Sequence, residues 1–249
     1  MEHRPAVESI REAPNPTASA PAAAFAWGGA VLFVASLIYF LYAYLVRFGS
    51  AVPPGSWFPP VVIDVALFSF FALHHSLFAR TALKAWVRGV VPPSLERSVY
   101  TWIASALFLL VCWSWQPVPG ELYRLDEPWR WLAFGVQGAG VALALAGSRA
   151  LDVLDLAGVR PLIRARSGHV PLMTTGVYGV VRHPLYFGWA LLVFGAPDMT
   201  ATRAVFAIVS AGYCALAIPW EERALVGVFG PAYDAYRRKV RWRMIPGVY

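Results

Sequence analysis

Charged residues are scarce in this sequence. Asp, Glu, Lys and Arg make up only 14% of its 249 residues, whereas 58% are hydrophobic. A soluble domain typically carries about 25% charged residues, so this composition excludes an ordinary soluble fold. Long apolar runs and a mean hydropathy of +0.54 instead indicate a single integral membrane domain.

Cysteine is rarer still. Cys112 and Cys214 lie in separate apolar runs, and neither CxxC nor a Cys/His spacing surrounds them. The sequence therefore predicts two free core thiols, with no disulfide framework and no metal site. By contrast, 11 Trp and 11 Tyr are present, many at the ends of apolar runs, as is typical of the aromatic belts at a bilayer surface.

Six apolar segments predict an all-α, polytopic membrane bundle of about six transmembrane helices, or five if the shortest segment does not cross. Continuous apolar runs favour helices over a barrel, whose strands alternate. The fifth segment is shorter than the ~20 residues that cross a bilayer, so we expect it to pair with the sixth as a tight hairpin. The segments are residues 25–48, 58–79, 99–118, 129–147, 185–197 and 201–220.

The basic residues are unevenly distributed between the connectors. Seventeen of the 21 Lys and Arg lie in residues 1–24, 80–98 and 149–182 or after residue 220. The positive-inside rule places these parts, with both termini, in the cytoplasm. The net charge of +7 thus reflects orientation in a lipid bilayer, and no nucleic-acid partner is predicted. Residues 1–24 are Pro/Ala-rich and are predicted to be a disordered tail, which leaves 25–249 as the membrane domain.

One polar cluster precedes the fifth segment in GVYGVVRHPLYFGW, residues 176–189. Arg182 and His183 stand directly before Pro184. Proline suits the first turn of a helix, so His183 is expected at a helix N-terminus, where the helix dipole favours anions. This stretch is a candidate ligand-binding loop.

A second polar cluster, Glu221 and Glu222, ends the sixth segment just after Pro219. We expect Pro219 to kink or end that helix. Carboxylates beside lipid are costly, so the pair is expected to face a protein cavity. Two interpretations follow: the acids and the Arg182 cluster bind a ligand with both positive and negative groups, or Arg182 forms an ion pair that closes the hairpin.

Together these clusters carry a family resemblance. The chain resembles the membrane-embedded S-adenosylmethionine-dependent methyltransferases in their signature, here LMTTGVYGVVRHPLYFGW followed by EERALVGVFGPAYDAYRRKV. These enzymes include isoprenylcysteine carboxyl methyltransferase and phospholipid methyltransferases. The similarity covers residues 172–240. FALHHSLFAR (71–80) and VPPSLERSVYTW (91–102) are similar to bacterial methanethiol S-methyltransferases and their NnrU-like relatives. The resemblance implies methyl transfer from S-adenosylmethionine to a small thiol such as methanethiol, giving dimethyl sulfide, in the bacterial inner membrane.

The resemblance further implies a pocket for S-adenosylmethionine at the cytoplasmic face. Ala217 stands where the isoprenylcysteine enzymes carry an arginine, which argues against a prenylcysteine carboxylate as acceptor but leaves a lipid amine open. The expected cofactor-binding residues are His169, Leu172, Thr175, Gly176, Tyr178, Arg182, His183, Pro184, Leu185, Tyr186, Gly188, Glu221 and Glu222.

Five polar residues near the second and third segments are candidates for catalysis on the thiol. A thiol must lose its proton because the thiolate is the nucleophile. We hypothesise that one of the two histidines deprotonates or positions the thiol with help from the acid or an arginine. The alternative is that these residues only tie the two helices together. They are His74, His75, Arg80, Glu96 and Arg97.

Intramembrane Asp64 shares a helix face with Phe68, Phe71 and His75, at spacings of four, three and four residues. It lies three turns from His75, about 16 Å along the axis, so the two cannot pair directly. A different class of function, a haem or quinone redox module using its histidines, also fits such a bundle, although no CxxCH occurs.

Overall fold

The structure is a computed structural model that describes residues 19–78, 89–148, 153–160 and 171–249. It confirms the predicted all-α, polytopic bundle. The helices are accompanied by two antiparallel strands, β1 (Glu121–Arg124) and β2 (Asp198–Thr200). There are also two 3-10 turns among the described residues, Arg47–Gly49 and Gly176–Gly179. The helices are α1 (Ala20–Leu45), α2 (Phe58–Phe78), α3 (Glu96–Ser114), α4 (Trp129–Ser148), α5 (Val153–Leu156), α6 (Pro184–Phe194), α7 (Ala201–Phe229) and α8 (Pro231–Lys239).

Five of these helices, α1, α2, α3, α4 and α7, are long and apolar enough to cross a membrane. The predicted bounds are close for α2 and α4, but α1 begins at Ala20, inside the stretch predicted to be a tail. Pro21 suits a first turn and the alanines after it favour helix, which explains the earlier start. Residues 1–18 of the predicted tail lie outside the described residues.

Helix α6 is too short to cross by itself. Its 11 residues span about 16 Å. Its N-cap His183 nevertheless contacts Glu222 of α7, while Asp198, just beyond its other end, accepts a hydrogen bond from Arg203 near the start of α7. Glu222 and Arg203 are about 28 Å apart along a helix axis. The chain therefore passes between the two ends of the bundle six times, five of them as long helices.

We call the end that contains His183 and Glu222 the site end, and the end that contains β1 and β2 the strand end. The strand end is closed by Arg203, which is 5% exposed. Its guanidinium donates to the carbonyls of Tyr44 and Leu45 at the end of α1 and to that of Asp198. Terminal carbonyls of a helix lack intrahelical partners, so Arg203 caps α1. The two strands were not predicted, because segments of three or four residues carry no periodic signal.

Aromatic side chains fill the core between α1, α3, α6 and α7. Phe206 of α7 is fully buried; its ring centroid lies 5.5 Å from that of Phe40 and 5.0 Å from that of Trp115. Trp189 of α6 stacks on Phe40 at 4.7 Å. Such large rings supply most of the packing contacts, and they hold the short α6 in the middle of the bundle.

Helix α6 packs against α4 at two glycines. A Cβ added to Gly140 of α4 would lie 2.6 Å from the carbonyl oxygen of Gly188 and 2.7 Å from the nitrogen of Leu192 on α6. A Cβ added to Gly188 would lie equally close to the carbonyl oxygen of Gly140. Gly140 thus allows the backbones of α4 and α6 to come into close contact. Gly138, two residues earlier, has open space around it.

This contrast gives a test of the α4–α6 interface. We expect Gly140→Ala to destabilise the protein by about 1–3 kcal/mol, as overpacking does, because the backbones would have to separate. Gly138→Ala is the matched control and should be neutral or stabilising, since alanine is the better helix former. Denaturant unfolding of both variants in detergent would check this, and equal stabilities would contradict the close approach.

Candidate functional site

Both acids of the second cluster lie inside α7. The helix continues through Pro219 to Phe229, so of the two predicted alternatives, the one in which Pro219 ends the helix is wrong. Proline cannot donate the hydrogen bond that the carbonyl four residues earlier, Ala215, would accept. The hydroxyl of Tyr249 donates to that carbonyl at 3.3 Å instead. A distant residue thus satisfies the group that Pro219 leaves unpaired, and the helix carries on.

Arg182 and Glu222 form a buried ion pair at the site end. Arg182 Nε donates to Glu222 Oε1 at 2.6 Å, and each side chain is only 6% exposed. Arg182 Nη1 also donates to the carbonyls of Val240 and Arg241, at 2.6 and 2.9 Å. The ion pair that the second interpretation predicted for Arg182 is therefore present, and its partner is Glu222.

Residues 240–249, which follow α8, form the floor of the site. The backbone nitrogens of Arg182 and His183 donate to the carbonyls of Trp242 and Arg243. Arg243 Nε lies 3.5 Å from Glu222 Oε2, and its guanidinium stacks 5.2 Å over the ring of Tyr249. The basic run that predicted orientation therefore also contributes a cation to the site, a role that no sequence motif indicated.

Glu221 faces a different set of partners. Tyr186 donates a hydrogen bond to its Oε1, and His183 Nδ1 lies 3.5 Å from its Oε2. The rings of His183 and Tyr186 stack with centroids 5.6 Å apart and planes 7° from parallel. The Glu221 side chain remains 42% exposed, unlike Glu222. Glu221 is therefore the acid of the pair that an incoming ligand can reach.

The charge of His183 depends on these two acids. Burial lowers the pKa of the His183 imidazole, but the hydrogen bonds and negative charges of Glu221 and Glu222 raise it more, so the pKa lies above its ordinary value. The Pro184 nitrogen follows directly at the start of α6. A protonated His183 would supply a positive group next to the exposed carboxylate of Glu221.

On the other side of α7, α2 brings His75 to the site end. The hydroxyl of Tyr100 on α3 lies 2.7 Å from His75 Nδ1. Ser76 Oγ and the hydroxyl of Tyr213 on α7 lie 3.0 Å apart, and the ring of Tyr213 meets His75 edge to face at 6.4 Å. Glu221 lies within electrostatic range of His75. The structure therefore joins the two predicted polar regions into one cluster.

The remaining described catalytic candidates surround Tyr100. The His74 ring stacks on the Tyr100 ring at 6.0 Å, and the Arg97 guanidinium lies 5.5 Å over it. Arg97 Nε donates to the carbonyl of Asp155 on α5, and Glu96 begins α3. Asp64 is fully buried and accepts a hydrogen bond from Gln116 toward the strand end, away from the cluster as expected.

Several predicted cofactor contacts pack against protein instead of joining this cluster. Leu172 packs against the buried tyrosines of α8. Tyr178 donates to the carbonyl of Gly147 on α4. Pro184 and Leu185 approach Gly147 as well.

Other predictions concern the loop before α6 and the undescribed residues. Exposed Thr175 precedes the 3-10 turn that begins at Gly176, whose φ of +61° favours glycine. Arg80 and His169 lie outside the described residues. Tyr100 and Tyr213 were not predicted, although Tyr100 follows Glu96 and Arg97 by one helical turn, a spacing that singles it out in retrospect.

A groove of about 380 Å³ lies at the strand end, away from this cluster. Its charged residues are paired: Arg130 binds the carboxylate of Asp198 through two hydrogen bonds, and Arg203 caps α1. The site end differs because Glu221 combines a charged group with exposure. We therefore take the site end as the candidate functional site.

The raised pKa of His183 makes part of the stability depend on pH. A group whose pKa is higher in the folded state stabilises the fold below its unfolded pKa, about 6.5, and this contribution is lost as the pH rises through the folded pKa. We therefore expect His183→Gln to lower the free energy of unfolding by less at pH 9 than at pH 6.

Denaturant unfolding in detergent across this pH range would measure the difference. Asp234→Asn, which breaks the exposed Asp234–Arg237 pair, is the control and should cost little at any pH. A difference for His183→Gln that is constant with pH would contradict a protonated His183 in the folded site.

Comparison with known proteins places these features in a family. The chain is 35% identical to methanethiol S-methyltransferase 2 of Bradyrhizobium diazoefficiens, over 72% of this chain and 71% of that protein. It is 36% identical to the methanethiol S-methyltransferase of Crocosphaera subtropica, over 72% of each, and 34% identical to that of Mycobacterium tuberculosis, over 72% and 76%.

More distant similarity extends to a Nurim homolog of Drosophila melanogaster, 25% identical over 64% of this chain and 67% of that protein. No protein-family model and no solved structure matches the chain. The three methanethiol S-methyltransferases, in contrast, match over more than two thirds of both chains at more than 30% identity. This chain therefore belongs to the methanethiol S-methyltransferase family, within the isoprenylcysteine methyltransferase-like superfamily.

Proposed function

We propose that this protein transfers the methyl group of S-adenosylmethionine to a small thiol such as methanethiol, giving dimethyl sulfide. The observation that carries the proposal is the cluster at the site end. Glu221 is accessible there, flanked by His183 and Tyr186, and His75 approaches from α2 within its electrostatic range. Kinship with methanethiol S-methyltransferases supports the same acceptor.

The described residues fit S-adenosylmethionine by their chemistry. The half-exposed carboxylate of Glu221 suits the ammonium of the methionyl group as a charge-assisted partner. Protonated His183 suits its carboxylate, and the aromatic faces of Tyr186 and Tyr213 suit a sulfonium cation. When bound, this cofactor supplies an electrophilic methyl group on sulfur, which needs no metal.

Arg182 and Glu222 hold this arrangement rather than bind the cofactor directly. Their charged atoms are engaged with each other and with the carbonyls of Val240 and Arg241. We assign them to the wall that fixes His183 and Glu221. The cofactor contacts would then come from the part of residues 172–240 that faces Glu221.

His75 is the proposed base for the thiol. It lies within electrostatic range of Glu221, so a thiol next to His75 would lie close to a cofactor bound at Glu221. Bringing nucleophile, methyl carbon and leaving sulfur into line is the main catalytic device available to such a site. His74 is less suited because its ring stacks on Tyr100.

The same geometry supports one orientation of the protein in the membrane. The start of α1 lies at the opposite end from Leu45, which Arg203 holds at the strand end, and residues 240–249 lie at the site end. Both described chain ends are thus on one side of the bundle, together with most of the Lys and Arg that the structure describes. We propose that this side is cytoplasmic and that the protein resides in the bacterial inner membrane.

Glu221→Gln tests the cofactor part of the proposal. It removes the negative charge while keeping the shape, and we expect S-adenosylmethionine to bind about 10- to 100-fold more weakly, as loss of a hydrogen bond to a charged group predicts. Glu121→Gln, an exposed glutamate paired with Arg124 at the strand end, is the control. Calorimetric titration of both variants would decide, and equal affinities would remove Glu221 from the cofactor site.

His75→Gln tests the acceptor part. At saturating S-adenosylmethionine we expect the kcat/KM for methanethiol to fall by about 100-fold or more, with cofactor affinity retained. Gas chromatography of dimethyl sulfide measures the rate. If neither His75→Gln nor His74→Gln changes it, neither histidine is the base.

The acceptor itself is identified by supplying radiolabelled S-adenosylmethionine with methanethiol, a lipid amine and a prenylcysteine. Ala217 offers no cation one turn before Glu221, which speaks against the carboxylate of a prenylcysteine. Label found only in lipid would overturn the small-thiol assignment but keep the family. A Soret band in the purified protein, without cofactor binding, would favour the redox alternative.

A further inference from the structure

Tyr100 forms a hydrogen bond with His75, the proposed base. Its hydroxyl lies 2.7 Å from His75 Nδ1, a normal length for such a bond. A neutral imidazole carries one proton, on Nδ1 or on Nε2, and the partner of one nitrogen decides the state of the other. The bond to Tyr100 therefore bears directly on whether Nε2 can accept a proton.

The surroundings hold the Tyr100 ring in place by contacts that do not use its hydroxyl. The Arg97 guanidinium lies 5.5 Å over the ring, and Arg97 is itself anchored to the carbonyl of Asp155. The His74 ring stacks on the same ring with planes 11° from parallel. Tyr100 is thus a rigid support that aims one oxygen at His75.

Charged and titratable groups from three helices face His75. They come from every element packed against it: Tyr100 and Arg97 from α3, Tyr213 and Glu221 from α7, and His74 from α2 itself. Glu221 is the anion of this set and stabilises an imidazolium, whereas Arg97 opposes it. A phenol oxygen that accepts the Nδ1–H bond adds to the stabilisation, because hydrogen bonds to charged donors are stronger.

We propose that Tyr100 is a positioning residue that accepts a hydrogen bond from His75 Nδ1–H and so leaves Nε2 free to take the proton of the thiol. This inference rests on the proposed function, in which His75 is the base. Tyr100 itself touches neither thiol nor cofactor and acts through His75.

In the proposed methyl transfer, the S–H bond of the thiol breaks and its proton goes to His75 Nε2. The sulfur electron pair forms the new bond to the methyl carbon. The bond between that carbon and the sulfonium of S-adenosylmethionine breaks, with its electron pair remaining on the donor sulfur. The products are a neutral thioether, neutral S-adenosylhomocysteine and an imidazolium, which returns its proton to water.

Tyr100→Phe removes the oxygen but keeps the ring that Arg97 and His74 contact. The first readout is nitrogen NMR of the full chain labelled at its five histidines, with the His75 signals identified by their loss in His75→Gln. We expect wild type to carry the neutral proton on Nδ1, and Tyr100→Phe to shift the population toward Nε2–H. Nε2–H in wild type would overturn the inference without any activity measurement.

The second readout compares methanethiol with methaneselenol, which has nearly the same shape but is ionised at neutral pH. At saturating S-adenosylmethionine we expect Tyr100→Phe to lower kcat/KM for methanethiol roughly 10- to 100-fold, the loss expected for one charge-assisted hydrogen bond. The rate with the selenolate, which needs no base, should stay near wild type. An equal loss with both acceptors would indicate packing alone and overturn the inference.

A double-mutant cycle keeps the test decisive if Tyr100→Phe is less stable. Because Tyr100 acts through His75, Tyr100→Phe should have no further effect on methanethiol turnover in a His75→Gln background; additive losses would overturn the inference. Tyr123→Phe, which removes a hydroxyl bonded to Ala196 at the strand end, is the control. If the wild-type protein transfers methyl to neither acceptor, the proposed function is refuted. If the wild-type protein is active and Tyr100→Phe is equally active, only the role of Tyr100 is refuted.

Discussion

The buried ion pair between Arg182 and Glu222 is the interaction on which the site end depends. Removing two charges from water costs several kcal/mol per ion, and this is offset only when the remaining polar atoms are also bonded. Arg182 meets that condition by donating to the carbonyls of residues 240 and 241. Three segments distant in sequence, the loop before α6, the interior of α7 and the chain after α8, are therefore fixed together. Each charge requires the other elements to be in place.

This constraint leaves Glu221 available. Neighbouring residues on a helix point about 100° apart, so burying Glu222 in the ion pair turns Glu221 toward His183, Tyr186 and the end of α2. One acid thus serves structure while the adjacent acid stays accessible. The proline before them would interrupt the arrangement if its freed carbonyl were unpaired, but the Tyr249 hydroxyl binds that carbonyl. The same short segment that neutralises Arg182 thereby also keeps α7 intact.

Much of the fold was predictable because a bilayer demands it. Continuous apolar runs located α2 and α4 almost to the residue, and the uneven basic residues separated the two ends of the bundle. The polar clusters at Arg182–His183 and Glu221–Glu222 were identified because charges beside lipid are costly. Missed features are those with no local pattern: the end of α7, β1 and β2, and the partners Arg243, Tyr249 and Tyr100, which only packing brings into contact.

The sequence by itself determined a helical membrane protein, its family resemblance and the residues able to carry charge in the apolar region, since composition and local motifs suffice for these. Only the tertiary structure decided which of two adjacent glutamates is engaged and which is exposed. It also decided that Tyr100 of α3 lies within hydrogen-bond distance of His75. The physical reason is that hydrogen bonds and ion pairs depend on distances of a few ångströms between segments as far as 159 residues apart in the chain, which no local pattern encodes.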